Sequence, residues 1–125
     1  MTDEAHERGM RVRREVLGDA HVDEAVARTT AFTADFQDLI TRYAWGDIWG
    51  LNGLDRRMRS AITLIALIAL GRMDELPMHV RAARRNGLSD DEVKEELLHS
   101  TVYCGVPAAN TAFAVAAQVL AEDEA

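Results

Sequence analysis

The chain has 125 residues, 48% of them hydrophobic, and a formal net charge of −7. This size predicts a single domain over residues 1–125 with a modest core. The acidic balance disfavours a nucleic-acid-binding protein, which needs a basic face to neutralise phosphates. The one arginine-rich stretch, residues 8–14, is interleaved with acidic Glu7 and Glu15, so we interpret it as a solvated helix face.

The single cysteine, Cys104, excludes a disulfide within one chain and suits a reducing compartment. The N-terminus is polar and acidic, unlike a signal peptide. The longest apolar run, residues 61–70, is far shorter than the ~20 residues that a membrane span needs. We therefore expect a cytoplasmic protein that does not bind membranes. The four histidines show no metal-ligand spacing, so no metal or other cofactor is expected.

The first half of the chain predicts two helical regions followed by a loop. Residues 3–17 form a charged helix, and residues 21–44 carry apolar groups at helical spacing with a possible break near Thr29 and Thr30. Residues 46–54 contain three glycines, which predicts an ordered loop.

The second half predicts helices with clear boundaries. Asp55 is placed to cap a helix that ends at Gly71, and Asp74 to cap a helix that has Pro77 in its first turn and ends at Gly87. These signals for helix starts and helix ends predict short loops between well-defined helices.

A capping box is the clearest local signal in the chain. Ser89 and Glu92 have its spacing and predict the start of a helix that runs to about Tyr103. Pro107 then opens an alanine-rich last helix that runs to about Glu122. The chain as a whole therefore predicts an all-α, compact bundle of six to seven helices.

His79 is the candidate catalytic group. Glu75 precedes it by four residues and Arg72 by seven, so the three share one face of a continuous helix, unless the junction after Gly71 separates Arg72. A carboxylate one turn away can orient an imidazole, which then donates a proton or an N–H to a developing oxyanion. The alternative is an ordinary surface pair of glutamate and histidine.

Five further side chains are candidates for substrate binding, each with a structural alternative. Trp45 and Trp49 flank Asp47 and can wall a planar ligand, or they can anchor a loop to the core. Arg59 can hold a substrate carboxylate, or it can form a structural ion pair. Tyr103 can line a pocket, or it can pack with its hydroxyl satisfied.

The order and spacing of these segments resemble the carboxymuconolactone decarboxylase family, which lies within the alkylhydroperoxidase-like all-α superfamily. The segments that carry the resemblance are residues 43–49, 54–60, 70–72, 75–79 and 103–109, together with Gly87, Glu92 and Glu95. The resemblance implies an alkylhydroperoxidase-like, oligomeric fold, often a hexamer, with a trimer as the smaller alternative. It also implies cofactor-free loss of CO2 from γ-carboxymuconolactone, a small acidic lactone of aromatic catabolism.

The resemblance also assigns roles to residues. His79 and Glu75 would be catalytic, Arg59 or Arg72 would hold the acetate arm, and the aromatic side chains would wall the pocket, with Asp47 as a secondary polar group. The redox branch of the superfamily carries a Cys-x-x-Cys motif near the positions of Arg72 and Glu75. Because this chain has no thiol pair to cycle, the resemblance disfavours a peroxidase.

One departure from the family pattern bears on the substrate. The family usually has Arg-Pro where this chain has Leu51 and Asn52. If that arginine binds a substrate carboxylate, the chain has lost one cation. A different small lactone or keto acid is then the alternative substrate, and a non-catalytic helical oligomer is the alternative function.

Overall fold

The computed structural model describes residues 3–122. Within this range the chain is helical, with no strand, which confirms the all-α prediction. Seven α-helices and one π-helical segment are found there: α1 (Glu4–Leu17), α2 (Asp19–Ala27), α3 (Ala34–Ile40), the π-helix (Thr41–Ile48), α4 (Arg56–Ala69), α5 (Leu76–Arg85), α6 (Asp90–Cys104) and α7 (Val106–Ala121). None of these described helices is long and apolar enough to span a bilayer.

The helices divide into two compact units, the first ending at Asp55 and the second beginning at Arg56. The first unit contains α1, α2, α3 and the π-helix, and the second contains α4 to α7. A single domain over the whole chain stays a prediction.

In the first unit, α1 packs closely against the π-helix. Gly9 of α1 lies against the backbone of Thr41, and Gly46 of the π-helix lies against the carbonyl of Ala5, so both contacts depend on the absence of a side chain. Arg13 is buried nearby and donates to Gln37 and to the hydroxyl of Thr41, at 3.2 and 3.4 Å. Burial lowers the pKa of this guanidinium.

The structure corrects the predicted ends of the second helical region. The expected break is present and separates α2 from α3, between Ala27 and Ala34. The loop predicted from residue 46 is wrong at its start, because the helix continues to Ile48 in π geometry. The amide of Trp49 donates to the carbonyl of Ala44, five residues earlier, at 2.9 Å.

In the second unit, α4 to α7 share one apolar core. The largest fully buried side chains are Leu64 and Ile68 of α4, Leu76 and Val80 of α5, and Val93 and Leu97 of α6, and they pack with Ala112 and Ala116 of α7. The small residues of α7 let its backbone come close to the other helices. The alanine-rich stripe therefore contributes to this core.

Most predicted helix ends of the second unit agree with the structure. Gly71, Gly87 and Gly105 have positive φ angles of 73°, 103° and 95°, which favour glycine, and each lies after a helix. The predicted cap at Asp74 is wrong, because α5 begins at Leu76 and Glu75 occupies the N-cap position without a side-chain capping bond. Pro77 lies in the first turn of α5, as predicted, where its missing amide leaves no helical hydrogen bond unmade.

The capping box of α6 is present as predicted. The hydroxyl of Ser89 accepts from the amide of Glu92 at 3.1 Å, and the carboxylate of Glu92 accepts from the amide of Ser89 at 3.0 Å. We expect Ser89→Ala to lower the free energy of unfolding by about 1 kcal/mol, measured by urea denaturation. Ser89→Thr, which keeps the hydroxyl, should lose much less. Equal losses in the two variants would contradict this account of the cap.

Candidate active site

In the first unit, the two predicted tryptophans form a packed pair. Trp45 is 7% exposed and its ring centroid lies 5.4 Å from that of Trp49, with the planes tilted by 33°. Asp47 is exposed between them, and Arg8 donates to its carboxylate at 3.3 Å. The burial of Trp45 therefore agrees with the alternative in which it anchors this segment to the core. Asp47 forms an ion pair with Arg8.

In the second unit, the predicted catalytic pair lies at the start of α5. Glu75 is the exposed N-cap residue, and its carbonyl accepts from the amide of His79 at 3.4 Å. His79 is half-buried one helical turn later. The first turn of α5 therefore holds the backbones of Glu75 and His79 one helical turn apart.

Arg72 does not share this helix. It is exposed in the turn between α4 and α5, where its amide donates to the carbonyl of Leu67 at 2.8 Å. Its own carbonyl accepts from the amide of Glu75 at 3.2 Å. Of the two alternatives, the separated one is present: the junction after Gly71 breaks the helix, and Arg72 does not share a helix face with His79.

Arg59 lies in the first turns of α4 and is half-buried. Its Nε is buried and has no hydrogen-bond partner among residues 3–122. A buried N–H without an acceptor is costly. Arg59 is therefore a donor that a carboxylate ligand could satisfy.

Tyr103 and His99 lie together one turn apart on α6. Their ring centroids are 5.0 Å apart, and both residues are exposed, Tyr103 to 77%. Tyr103 is therefore not buried in the core, and its place in a substrate pocket stays a prediction. The neighbouring Cys104 packs against the core of the unit, as expected for a structural thiol.

Between α4 and α6 lies an apolar groove with a volume of about 740 Å³. We call it the α4–α6 groove. Its polar lining residues are Glu95, Glu96 and His99 of α6. Its apolar lining comes from α4: Met58, Ala61, Ile62, Ile65 and Ala66. A volume of this order falls within the range of small-molecule sites.

Glu96 is a groove acid whose pKa is strongly shifted. Its Oε2 is buried and has no hydrogen-bond partner within the described part of the chain. Burial, reinforced by the negative charge of Glu92, raises the pKa of Glu96 to about 7, against the opposing effect of Arg57. The carboxyl group is therefore partly protonated at neutral pH.

Charged side chains of α4 and α6 act on Glu96. On α6 its neighbours are Glu92, Glu95 and His99, and on α4 it faces Arg57, which donates to both oxygens of Glu92 at 3.0 and 2.5 Å. Helix α7, which also packs on α6, has no charged side chain between Val106 and Ala121. Arg57 is paired with Glu92 in this exposed salt bridge, and its effect on the pKa of Glu96 is smaller than those of burial and of Glu92.

Sequence reasoning missed Glu96. The signal was available, because Glu92, Glu96, His99 and Tyr103 recur at helical spacing along α6. However, a run of exposed acids at the start of a capped helix is ordinary, and only burial against α4 distinguishes Glu96 from its neighbours.

We expect Glu96→Gln to stabilise the protein at high pH. Below pH 4.5 the carboxyl is protonated in folded and unfolded chains, so the free energy of unfolding of the variant should exceed that of the wild type only slightly. Above pH 7 the wild type must keep a carboxylate in a half-buried position, which costs about 1–2 kcal/mol after allowance for solvent screening. Urea denaturation at pH 4 and pH 8 measures both values. An equal difference between wild type and variant at both pH values would contradict the shifted titration.

Within residues 3–122, no cluster of three or more histidine, cysteine, aspartate or glutamate side chains is arranged to hold a metal ion. The second unit also carries the imidazole of His79 on α5, the guanidinium of Arg59 on α4, and the carboxyl group of Glu96 on α6. Such groups can bind an anion, stabilise an oxyanion and deliver a proton.

Comparison with known proteins gives the same family as the sequence segments. The chain is 47% identical over 120 residues to 4-carboxymuconolactone decarboxylase of Acinetobacter baylyi, covering 95% of this chain and 90% of that protein. It is 44% identical over 109 residues to nitrosuccinic acid decarboxylase npaB of Metarhizium robertsii, covering 84% and 76%. A 42-residue stretch is 52% identical to 4-carboxymuconolactone decarboxylase of Pseudomonas putida, covering 34% of this chain and 88% of that sequence. The model of the carboxymuconolactone decarboxylase family matches residues 34–118, and the chain therefore belongs to this family.

Proposed function

We propose that this protein is a 4-carboxymuconolactone decarboxylase, a carboxy-lyase that releases CO2 from γ-carboxymuconolactone and gives β-ketoadipate enol-lactone. The observation that supports this most strongly is the 47% identity to the Acinetobacter enzyme over 95% of the chain. A protein with one cysteine suits the reducing cytoplasm, where we expect it to act.

The chemistry of the substrate explains why few protein groups are needed. The bond between the γ carbon and its carboxylate breaks, and the electron pair runs through the ring double bond to the lactone carbonyl. A proton then adds at the α carbon. Because the ring itself accepts the electrons, the protein has only to bind two anionic groups, stabilise the oxyanion and supply the proton, without a cofactor.

We assign these tasks to residues of the second unit. His79 stabilises the oxyanion or donates the proton, and Glu75, one turn before it, orients the imidazole. Arg59 or Arg72 holds the acetate arm. Arg59 is the better supported of the two arginines because its buried Nε lacks an acceptor within residues 3–122, whereas Arg72 is exposed in a turn.

The aromatic candidates have unequal support. Tyr103 is exposed enough to contact a ligand, and Trp49 is half-buried. Trp45 has little free surface, and Asp47 already pairs with Arg8. Tyr103, on the same unit as His79, is therefore the preferred aromatic contact, and the substrate-binding roles of Trp45, Asp47 and Trp49 in the first unit stay predictions.

A second candidate function is decarboxylation of a different small acid. It is favoured by the 44% identity to the nitrosuccinic acid decarboxylase and by Leu51 and Asn52 at the usual Arg-Pro positions. In nitrosuccinate the nitro group can accept the electrons, as the lactone carbonyl does in the first substrate. The same oxyanion stabilisation would therefore serve both reactions.

We also propose that the protein is a homo-oligomer, a trimer or a hexamer. Large apolar side chains of the second unit are exposed in the isolated chain, among them Val102 at 76% and Ile62 at 53%. Contiguous exposed apolar surface commonly marks an interface. Light scattering measures the mass directly.

The test of function is a spectrophotometric assay with γ-carboxymuconolactone and, in parallel, with nitrosuccinate. Turnover of the lactone at a far higher kcat/KM supports the first proposal, and the reverse preference supports the second. Turnover of neither acid would overturn both and leave the non-catalytic helical oligomer.

A further inference from the structure

Arg13 of α1 is a buried cation in the first unit. Only 6% of its surface is exposed. The guanidinium keeps its charge at neutral pH, although burial lowers its pKa. A buried charge is costly unless an opposite charge and hydrogen bonds compensate for it. The partners of Arg13 therefore decide how the folded chain tolerates this charge.

The partners that Arg13 has within residues 3–122 are neutral. Its Nη1 donates to the side-chain oxygen of Gln37 at 3.2 Å and to the hydroxyl of Thr41 at 3.4 Å. Its Nε is buried without an acceptor, and its Nη2 makes no hydrogen bond to the described residues. None of their carboxylates forms an ion pair with the guanidinium. The described part of the chain therefore leaves this positive charge uncompensated.

Arg13 lines a pocket with a volume of about 610 Å³. We call it the Arg13 pocket. All of its lining residues belong to the first unit, and they come from α1, α2, α3, the turn after α2 and the start of the π-helix. Met10, Val26 and Ala34 give the pocket an apolar side. Its volume falls within the range of small-molecule sites.

The two acids that line the pocket do not neutralise Arg13. The carboxylate of Asp38 accepts from Nε of Arg42 at 2.9 Å and lies 3.6 Å from Nε2 of His6. Asp35 is exposed in the first turn of α3, where water screens its charge. These acids instead disfavour a ligand that carries two negative charges.

We propose that the Arg13 pocket binds a small monocarboxylate, whose carboxylate group contacts the guanidinium of Arg13 and whose aliphatic body contacts Met10 and Val26. A carboxylate supplies both the missing negative charge and the planar acceptors that suit a guanidinium. None of the lining residues belongs to the proposed catalytic groups, so this inference does not depend on the proposed function.

Titration of the wild-type chain with butyrate tests the pocket. We expect saturable binding with a Kd of about 1 mM, measured by calorimetry or by NMR at constant ionic strength. Butyramide has nearly the same shape without the charge, and succinate carries a second carboxylate. Each should bind at least about tenfold more weakly. No saturable binding of butyrate, as when a carboxylate of another copy already fills the pocket, would overturn the inference.

Arg13→Met tests the residue itself. Methionine keeps an apolar side chain but removes the charge, so the Kd for butyrate should rise at least about tenfold. Saturating butyrate should raise the Tm of the wild type but not that of this variant, because only a bound ligand stabilises the folded chain. An Arg13→Met protein that binds butyrate as tightly as the wild type would refute the site.

Arg11→Gln is the matched control for this variant. Arg11 is an exposed arginine of the same helix, so the substitution removes the same charge outside the pocket. Its Kd for butyrate should equal that of the wild type. A loss of affinity as large as that of Arg13→Met would mean that butyrate responds only to the overall charge, and the site would be abandoned.

Val26→Trp decides the question if Arg13→Met does not fold. Val26 is 49% exposed and lines the pocket, so a larger side chain is tolerated by the fold but fills space that the ligand needs. The Kd for butyrate should again rise at least about tenfold while Arg13 stays in place. An unchanged Kd would show that butyrate binds elsewhere.

Inorganic phosphate distinguishes a carboxylate site from a general oxyanion site. Phosphate offers no aliphatic body to the apolar side of the pocket, so it should bind more weakly than butyrate. Phosphate that binds as tightly as butyrate, and competes with it, would overturn the assignment of a carboxylate ligand.

Discussion

We expect His79→Gln to lower the turnover of γ-carboxymuconolactone by about 100- to 1000-fold with the fold intact, which is the usual cost of removing one oxyanion donor. Glutamine keeps an N–H group and similar bulk, but it cannot become cationic or place that N–H where the ring nitrogen lies. Because the lost interaction strengthens only in the transition state, kcat should fall while KM changes little. Steady-state kinetics by absorbance measures both constants.

His6→Gln is a matched control for this variant. His6 lies in the first unit with its Nε2 3.6 Å from the carboxylate of Asp38, and the proposed mechanism gives it no role. It should retain the wild-type rate. Unchanged turnover in His79→Gln would remove His79 from the mechanism, and an equal loss in both variants would point to a general effect on the fold.

The second large effect is expected at Gly9. A Cβ at this position would overlap the carbonyl oxygen of Thr41 and lie 2.7 Å from its carbonyl carbon. Both are backbone atoms, which cannot rotate away as a side chain can. In an isolated helix, alanine would be favoured over glycine by about 1 kcal/mol. Here we expect overpacking to prevail, and Gly9→Ala to lower the free energy of unfolding by about 3 kcal/mol.

Gly53→Ala provides the comparison, since nothing lies within 4 Å of a Cβ at Gly53. We expect a change of at most about 0.5 kcal/mol for this surface substitution. Urea denaturation of both variants measures the difference. If Gly9→Ala were as stable as Gly53→Ala, the close approach of α1 to the π-helix would be refuted.

Local signals predicted the second unit better than the first. Ser89 and Glu92 define the start of α6 through contacts only three residues apart, so their effect can be read from sequence. Gly87 and Gly105 end helices through their own backbone angles. These features depend little on distant parts of the chain.

The π-helix could not be predicted in the same way. Gly46 has the appearance of a loop residue in the sequence, but it lies inside a helix where the backbone of α1 comes close. A glycine is needed at this position because the carbonyl of Ala5 lies against it. Ala5 is about forty positions away in the sequence, so no local pattern shows this contact. The predicted loop therefore began too early.

The same distinction applies to the candidate site. Spacing predicted that His79 follows Glu75 by one helical turn, and in the structure Glu75 is the N-cap residue of α5 and His79 lies one turn later. Residue spacing could not identify Glu96. This residue differs from the other glutamates of α6 because one of its carboxylate oxygens loses its contact with water when α4 and α6 pack together. Desolvation is a property of the folded unit, so an exposed and a buried glutamate have the same appearance in a sequence.

Glu92 connects three parts of the second unit through one carboxylate. It closes the cap with Ser89 and receives two hydrogen bonds from Arg57, whose guanidinium also donates to the carbonyl of Gly87 at 3.2 Å. A substitution at any one of these side chains therefore removes hydrogen-bond partners from the others. Over evolutionary time, positions 57, 89 and 92 should therefore substitute together, and a set of homologous sequences in which they vary independently would show that the connection is dispensable.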